Sequence, residues 1–429
     1  MKINFAKIKI NILYLMIFTS SFVVLQIANR TIFLWFQLLY VIISLIIPKK
    51  VIFYKDHIYN FIYVSIGFSM ISAFRSELPR SYQRAATYWF IIYVIILFIV
   101  TDIHYEFTKG NGTKIVEVVT KAFKAMSIVQ LIWVPLQFVA YHLGGVDINE
   151  LIFVRTLNCV KEASFVRNWV WYPSGLTWHS AILAPMFVFD LLLFKNNIVI
   201  LLIVIDAFIC GSSTAIVGVV LTITIEFLHW LFYEKKVVVK RGYIAFILAI
   251  STITTLLVVN PYLIDNMLKQ LAFLLRRISG ASNDASTSAH LQYYFDYLDI
   301  AKKSSLTELL FGYGEGTSGY WISKIYSRYS DLKSWSVESD IVDKLLSRGI
   351  MGTIAYYCFL FKIGIKGKRI NYKYLLLTVV LFIQGFGYNI QFDYIFLMES
   401  LVYIAMVYKI DFFEAKHNQQ PTRQLYGLQ

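Results

Sequence analysis

The sequence predicts an all-α integral membrane protein with about twelve transmembrane helices. Of its 429 residues, 58% are hydrophobic and only 15% are charged, whereas about a quarter of the residues in soluble domains are charged. The apolar residues form continuous runs of about 20, the length of a helix that crosses a bilayer, rather than the alternating pattern of a membrane barrel. This composition excludes an ordinary soluble domain and a disordered chain.

Twelve apolar segments account for the predicted spans. The first follows Lys2, Lys7 and Lys9 and resembles a signal peptide, but no small-residue cleavage site follows it, so we expect a retained helix. The predicted spans are 10–28, 31–47, 56–74, 86–103, 122–143, 175–194, 197–211, 213–233, 242–259, 339–361, 372–388 and 392–409.

Basic loops predict the orientation of these spans. Lysine-rich segments at 49–55, 235–241 and 362–373 fall on one side together with both termini, and cytoplasmic loops carry the excess of lysine and arginine. This rule explains the formal charge of +14 without a nucleic-acid partner. The outer loops are then 75–85, 144–174 and 260–337.

Four regions follow from this topology. Residues 1–259 carry nine spans and the loop 144–174, residues 260–337 form a large, partly helical outer loop, residues 338–409 carry three spans, and residues 410–429 form a cytoplasmic tail. Within the large loop, apolar periodicity predicts helices at 262–278 and 287–302. The sequence FGYGEGTSG at 311–319 predicts a tight turn.

Arginine is distributed unequally between the two sides. Nine of the thirteen arginines lie in outer segments, where the orientation rule predicts few basic residues. A guanidinium group presents a planar fork of donors that matches phosphate oxygens, although single arginines also neutralise carboxylates or bind anionic lipid headgroups. As a set they favour a phosphate-bearing ligand, such as a lipid-linked diphosphate sugar that arrives already activated. The nine are Arg30, Arg75, Arg80, Arg84, Arg155, Arg167, Arg276, Arg277 and Arg328.

Aromatic side chains in the outer loops suit a sugar ligand. Trp169, Trp171 and Trp178 flank the loop at 144–174, and Trp321 lies in the large loop. Flat apolar rings stack on the C–H faces of pyranoses, while an interfacial aromatic belt is the alternative explanation.

The segment VESDIVDKLLSRGIMG at 337–352 predicts a helix that opens the tenth span. Asp340 has Lys344 as an i,i+4 partner, whereas Glu338 heads an apolar stripe. At such a rim a carboxylate can have a raised pKa and act as a general base. An acid favoured by the helix dipole is the alternative. His290 and His179 are candidate bases or phosphate donors, with structural roles as the alternative.

Four stretches resemble Wzy-type O-antigen polymerases, which are related to the O-antigen ligases of lipopolysaccharide assembly. They are WYPSGLTWHSAILAP at 171–185, GSSTAIVGVV at 211–220, HLQYYFDYLDIAKKSSLTELLFGYGEG at 290–316 and ESDIVDKLLSRGIMG at 338–352. The resemblance covers roughly the second half of the chain, and the first 150 residues match only in hydropathy. The chain departs from the pattern at Ser213 and His290, where arginine is common in the family.

The resemblance implies a GT-C-like, metal-independent glycosyltransferase of the bacterial inner membrane that needs no cofactor. It would move the growing glycan from undecaprenyl diphosphate onto a hydroxyl of the next lipid-linked repeat unit at the periplasmic face. Glu338 occupies the position of a ligase histidine and is the expected base, with His290 as a second catalytic candidate. The expected diphosphate ligands are Arg155, Arg167, Arg276 and Arg277, followed by Arg75, Arg80 and Arg84; the expected sugar contacts are Trp169, Trp171, Trp321 and His179.

Two other functions remain open from the sequence. A ligase would transfer the glycan to lipid A–core, and a lipid-linked oligosaccharide flippase would carry no chemistry. A flippase of that kind predicts two related halves, which the sequence does not show. The expected partners are the undecaprenyl-diphosphate-linked oligosaccharide, the bilayer and, as an open option, a membrane protein that regulates chain length.

Overall fold

The computed structural model describes nine segments of the chain: 5–47, 57–74, 78–163, 165–167, 170–177, 179–229, 285–326, 337–368 and 372–387. Within them the fold is almost entirely helical, which confirms the all-α class. The predicted spans at 242–259 and 392–409, the predicted helix at 262–278 and the tail at 410–429 lie outside the described residues.

The described segments contain thirteen α-helices. They are α1 Phe5–Phe18, α2 Ile32–Ile46, α3 His57–Ala73, α4 Arg80–Thr108, α5 Gly112–Gly144, α6 Leu183–Leu193, α7 Asn197–Ile209, α8 Ser213–His229, α9 Ala285–Lys303, α10 Leu306–Phe311, α11 Ser318–Ile325, α12 Asp340–Gly367 and α13 Lys373–Gly387. A π-helical turn at Glu150–Thr156 and a 3₁₀ turn at Ser180–Ile182 join them. The strands form two short antiparallel hairpins, β1 Gln26–Ile27 with β2 Arg30–Thr31 and β3 Phe165–Arg167 with β4 Val170–Tyr172.

Ten of the twelve predicted spans overlap helices α1 to α8, α12 and α13. The bounds of two were wrong: the span predicted at 10–28 ends as a helix at Phe18, before the first hairpin, and the span predicted at 175–194 becomes an α-helix only at Leu183. Among the described helices, Arg80–Thr108 alone is both long and apolar enough to cross a membrane, and six further apolar helices have 10–17 residues. The count of twelve spans therefore stays a prediction.

Polar contacts near the helix ends give the directions of α1 and α3 relative to α4. Lys9 near the start of α1 forms ion pairs with Asp102, at 3.1 Å, and Glu106 near the end of α4. Tyr59, at the start of α3, hydrogen-bonds His104 at 2.9 Å. α1 and α3 therefore run antiparallel to α4.

A second set of helices, α6, α8 and α13, packs in the same alternating way. Lys373 at the start of α13 pairs with Glu226 near the end of α8 at 2.5 Å. At the other end of α13, Gln384 donates to the carbonyls of Ala184 and Thr214, each at 3.2 Å. These contacts place the start of α6 and of α8 beside the end of α13.

The second half of α5 is apolar on both its inner and its outer face, whereas its first half carries exposed charged residues such as Glu117 and Lys121. Phe123 and Met126 are buried in the core, while a stripe of large apolar side chains faces outward at helical spacing. A helix that is hydrophobic all round is typical of a membrane span. The outward stripe comprises Ile128, Ile132, Leu136, Val139 and Leu143, which are 42–58% exposed.

A small layer formed by α9, α10 and α11 covers the start of α12. The predicted helix 287–302 is confirmed as Ala285–Lys303, and the glycine-rich segment forms the predicted turn between α10 and α11. The apolar contacts between this layer and α12 form a separate small core containing Tyr293, Ile300, Ile322, Val342 and Leu346. This layer positions the candidate site.

Candidate active site at the start of α12

The glycine-rich turn docks on a break in α12. Gly349 has φ of +64° and ψ of −169°, which interrupts the helix. Such a break leaves the backbone carbonyls just before Gly349 without partners inside the helix. The glycine-rich turn satisfies two of these carbonyls: the amide of Tyr313 donates to the carbonyl of Leu346 at 2.7 Å, and the amide of Gly314 donates to the carbonyl of Ser347 at 2.9 Å. Backbone bonds therefore fix the turn against α12.

Two glycines permit this close approach. A Cβ on Gly312 would lie 2.4 Å from the amide nitrogen of Gly349, and a Cβ on Gly349 would lie 2.5 Å from the amide nitrogen of Gly312. Both residues also have positive φ, which glycine adopts without strain. The contact therefore requires glycine at both positions.

A buried ion pair connects the turn to α12. Arg348 donates to both carboxylate oxygens of Glu315, at 2.5 and 2.9 Å, and to the hydroxyl of Tyr93 on α4 at 2.5 Å. The guanidinium also lies 5.0 Å above the ring of Phe61 on α3. Arg348 and Glu315 are 3% and 5% exposed, so their charges are screened little by solvent.

A second ion pair lies one turn earlier on α12. The predicted i,i+4 pair is confirmed, because Lys344 donates to Asp340 and both side chains are buried. Tyr357 donates to the other oxygen of Asp340 at 3.0 Å. Asp343 accepts a hydrogen bond from Ser318, the first residue of α11, whose hydroxyl accepts from the amide of Val337 at 3.1 Å.

Glu338 lies at the rim of this buried network. The sequence predicted it as part of the helix, but α12 begins at Asp340, and Glu338 is exposed between buried Val337 and Ser339. The hydroxyls of Ser339 and Tyr294 on α9 hydrogen-bond at 2.8 Å, and Tyr294 also donates to the carbonyl of Phe386 at 3.0 Å. Burial, and to a lesser degree the charge of Asp340, raises the pKa of the Tyr294 phenol, so it remains a donor.

Arg80 and Arg84 are exposed in the first turns of α4, and the start of α4 contacts α11, whose Ser318 bonds Val337 next to Glu338. Between them in sequence, Tyr82 contacts Tyr320 of α11 with ring centres 5.0 Å apart. Residues two apart on a helix point to nearly opposite faces, so the two arginines project from the face of α4 that turns away from α11.

The other expected ligands belong to a second group around the end of α5. Arg155 is exposed in the π-helical turn, and Arg167 lies in β3. Trp171 is 5% exposed, stacks on Tyr141 with ring centres 4.1 Å apart and donates to Asp147 at 2.6 Å. Contacts within the chain thus occupy the indole of Trp171, and its role in sugar binding stays a prediction.

The remaining candidates are distributed as follows. His290 lies in α9. His179 is half-buried and accepts a hydrogen bond from the amide of Ala181 at 3.0 Å, so it caps the 3₁₀ turn. Trp321 is half-buried in α11 beside Tyr313, with ring centres 4.9 Å apart. Arg75, Arg276, Arg277 and Trp169 lie outside the described residues.

Sequence reasoning missed the pairing of Arg348 with Glu315 and Tyr93. The three residues lie in different predicted elements, and Glu315 stands inside a segment interpreted only as a turn. A carboxylate among four glycines was the available signal, because a charged residue in so tight a turn needs a partner when the turn is buried.

Comparisons with known proteins add no family to this description. No protein-family model, no curated protein and no solved structure matches the chain.

Proposed function

We propose that the chain is an O-antigen polymerase, a glycosyltransferase of the bacterial inner membrane. It transfers the growing glycan from undecaprenyl diphosphate to a hydroxyl of the next lipid-linked repeat unit at the periplasmic face. The alternating directions of the helices and the outward apolar stripe of α5 support embedding in a bilayer. The sequence resemblance supports the reaction.

The assignment of the general base rests on which of four carboxylates is exposed. At the junction of the glycine-rich turn with α12, Glu315, Asp340 and Asp343 are hydrogen-bonded to Arg348, Lys344 and Ser318. Glu338 is the one of these four that is exposed. A general base must reach the proton of the acceptor hydroxyl, so Glu338 is the accessible candidate.

The buried network gives Glu338 a rigid support. Its neighbours Val337 and Ser339 are held by Ser318 and Tyr294, and the ion pair of Arg348 with Glu315 holds α12 to the glycine-rich turn. Catalytic groups act best when packing and hydrogen bonds fix the residues around them. The exposed guanidinium groups of Arg80 and Arg84 lie at the start of α4, which contacts α11, and are the described candidates for the diphosphate.

The test is chain growth in a defined system. Purified protein in lipid nanodiscs receives undecaprenyl-diphosphate-linked repeat units, and the products are resolved by length on a gel. We expect a ladder of lipid-linked polymers. Transfer to added lipid A–core without a ladder would identify a ligase, and movement of lipid-linked units between leaflets without any new glycosidic bond would identify a flippase.

A further inference from the structure

Two buried aspartates lie in helices that take no part in the candidate active site. Asp190 on α6 and Asp206 on α7 are each 0% exposed. In the part of the chain that the structure describes, none of their four carboxylate oxygens has a hydrogen-bond partner. They lie close enough for their charges to interact.

The groups around the two carboxylates are neutral donors. Ser127 on α5 is 0% exposed and faces Asp190, and its hydroxyl has no hydrogen-bond partner among the described residues. The buried thiol of Cys210 lies one helical turn after Asp206 and interacts with it. Polar groups from three helices therefore converge in an apolar core, and the Ser127 hydroxyl is the group directed at Asp190.

Charged groups on the neighbouring helices are directed elsewhere. Lys124, one turn before Ser127, places its ammonium 5.8 Å from the ring centre of Phe194. Glu226 on α8 pairs with Lys373 on α13. His229, also on α8, stacks on Tyr372 at 3.6 Å. In the described segments, none of these groups lies within hydrogen-bonding distance of either aspartate.

A buried carboxylate without a partner pays its full desolvation cost when ionised, so its neutral, protonated form is favoured. A metal ion is the other way to neutralise it, but no three His, Cys, Asp or Glu side chains of the described residues are placed to share one. Ionisable groups inside a membrane bundle typically mark ion or proton sites. The donor set here suits a proton.

We propose that Asp190 and Asp206 form an exchangeable proton-binding site inside the helix bundle. Asp190 lies one turn before the end of α6, and Asp206 lies one turn before the end of α7. The charge of Asp190 acts on Asp206, so the two carboxyl groups belong to one cluster. Beyond Asp190 the end of α6 leads to the exposed residues 195–198, so a proton can exchange with water at that end, whereas residues 209–212 beyond Asp206 are buried.

Infrared difference spectroscopy of the full-length protein in nanodiscs tests the site. The wild-type spectrum minus that of the double variant Asp190→Asn/Asp206→Asn should contain the C=O band of a protonated carboxyl group. We expect this band to shift in D₂O and to lose intensity as the pH is raised. The D₂O shift is measured on the wild-type protein as well, so the test does not depend on folding of the variant.

Three results would overturn the proposal. A spectrum without the protonated band at any pH would show that both groups are ionised. A band that responds neither to D₂O nor to pH would show a permanently protonated structural pair. Loss of the band on addition of NaCl or KCl at constant pH would assign the site to a metal cation. Asp299, an exposed residue paired with Lys302 at 3.3 Å, provides the control variant Asp299→Asn, which should leave the band unchanged.

Discussion

Arg348 and Glu315, 33 residues apart in sequence, form a bidentate ion pair. This pair joins the glycine-rich turn to α12, next to the interruption of the helix at Gly349. The pair is buried and shares the hydroxyl of Tyr93, so the turn, α12 and α4 are connected through one polar cluster. This cluster supports the rim on which Glu338 is exposed.

Removal of one partner should be costly. We expect Glu315→Gln to lower the free energy of unfolding by about 3–5 kcal/mol, because it leaves the Arg348 guanidinium buried without its counter-charge. The double variant Glu315→Leu/Arg348→Met should recover most of the loss, since no buried charge remains. Denaturation of the detergent-solubilised protein measures both.

The control for this prediction is an exposed pair. Glu117 and Lys121 on α5 pair at 2.7 Å with side chains 60% and 67% exposed. Surface pairs contribute little, so Glu117→Gln should leave the unfolding transition unchanged. Equal effects of Glu117→Gln and Glu315→Gln would contradict the structural role of the buried pair.

The close contact of Gly312 with Gly349 makes a second prediction. We expect Gly349→Ala to destabilise the protein by more than about 1 kcal/mol, because a positive φ is unfavourable for alanine and its Cβ would collide with the turn. Gly67→Ala in α3 is the control, since nothing lies within 4 Å of a Cβ there and alanine favours a helix. A neutral Gly349→Ala would show that the turn does not dock as described. Thermal unfolding monitored by circular dichroism compares the two variants.

Diphosphate binding provides a third prediction. Replacing Arg80 or Arg84 by alanine should weaken binding of the undecaprenyl-diphosphate-linked donor by about 1.5–3 kcal/mol for each charged hydrogen bond lost, which is roughly tenfold or more in the dissociation constant. Lys121→Ala on α5 is the matched control, because it also removes an exposed positive charge. Unchanged donor affinity in both arginine variants would exclude them from the site.

Much of the fold could be predicted because its signals are local. Continuous apolar runs predicted ten of the observed helices, and periodicity predicted α9. The Asp340–Lys344 pair followed from i,i+4 spacing. The start of α12 was wrong by three residues, because Asp340 was not recognised as the point where the helix predicted from 337 begins.

Contacts between distant segments could not be predicted in this way. The pairing of Arg348 with Glu315 depends on how the turn folds back onto α12, which hydropathy and spacing do not encode. Burial of Trp171 depends on the docking of β4 against α5. Asp190 and Asp206 gave no signal, because a single acid in an apolar run does not indicate which helix lies opposite it.

The most direct test of the account is chain growth by a Glu338→Gln variant. Glutamine keeps the shape of the side chain but cannot accept the proton of the acceptor hydroxyl, so we expect polymer formation to fall about 10²–10⁴-fold. Donor affinity and the unfolding transition should stay unchanged, as should the activity of the control variant Asp299→Asn. A Glu338→Gln protein that extends lipid-linked repeat units at the wild-type rate would contradict the assignment of the base.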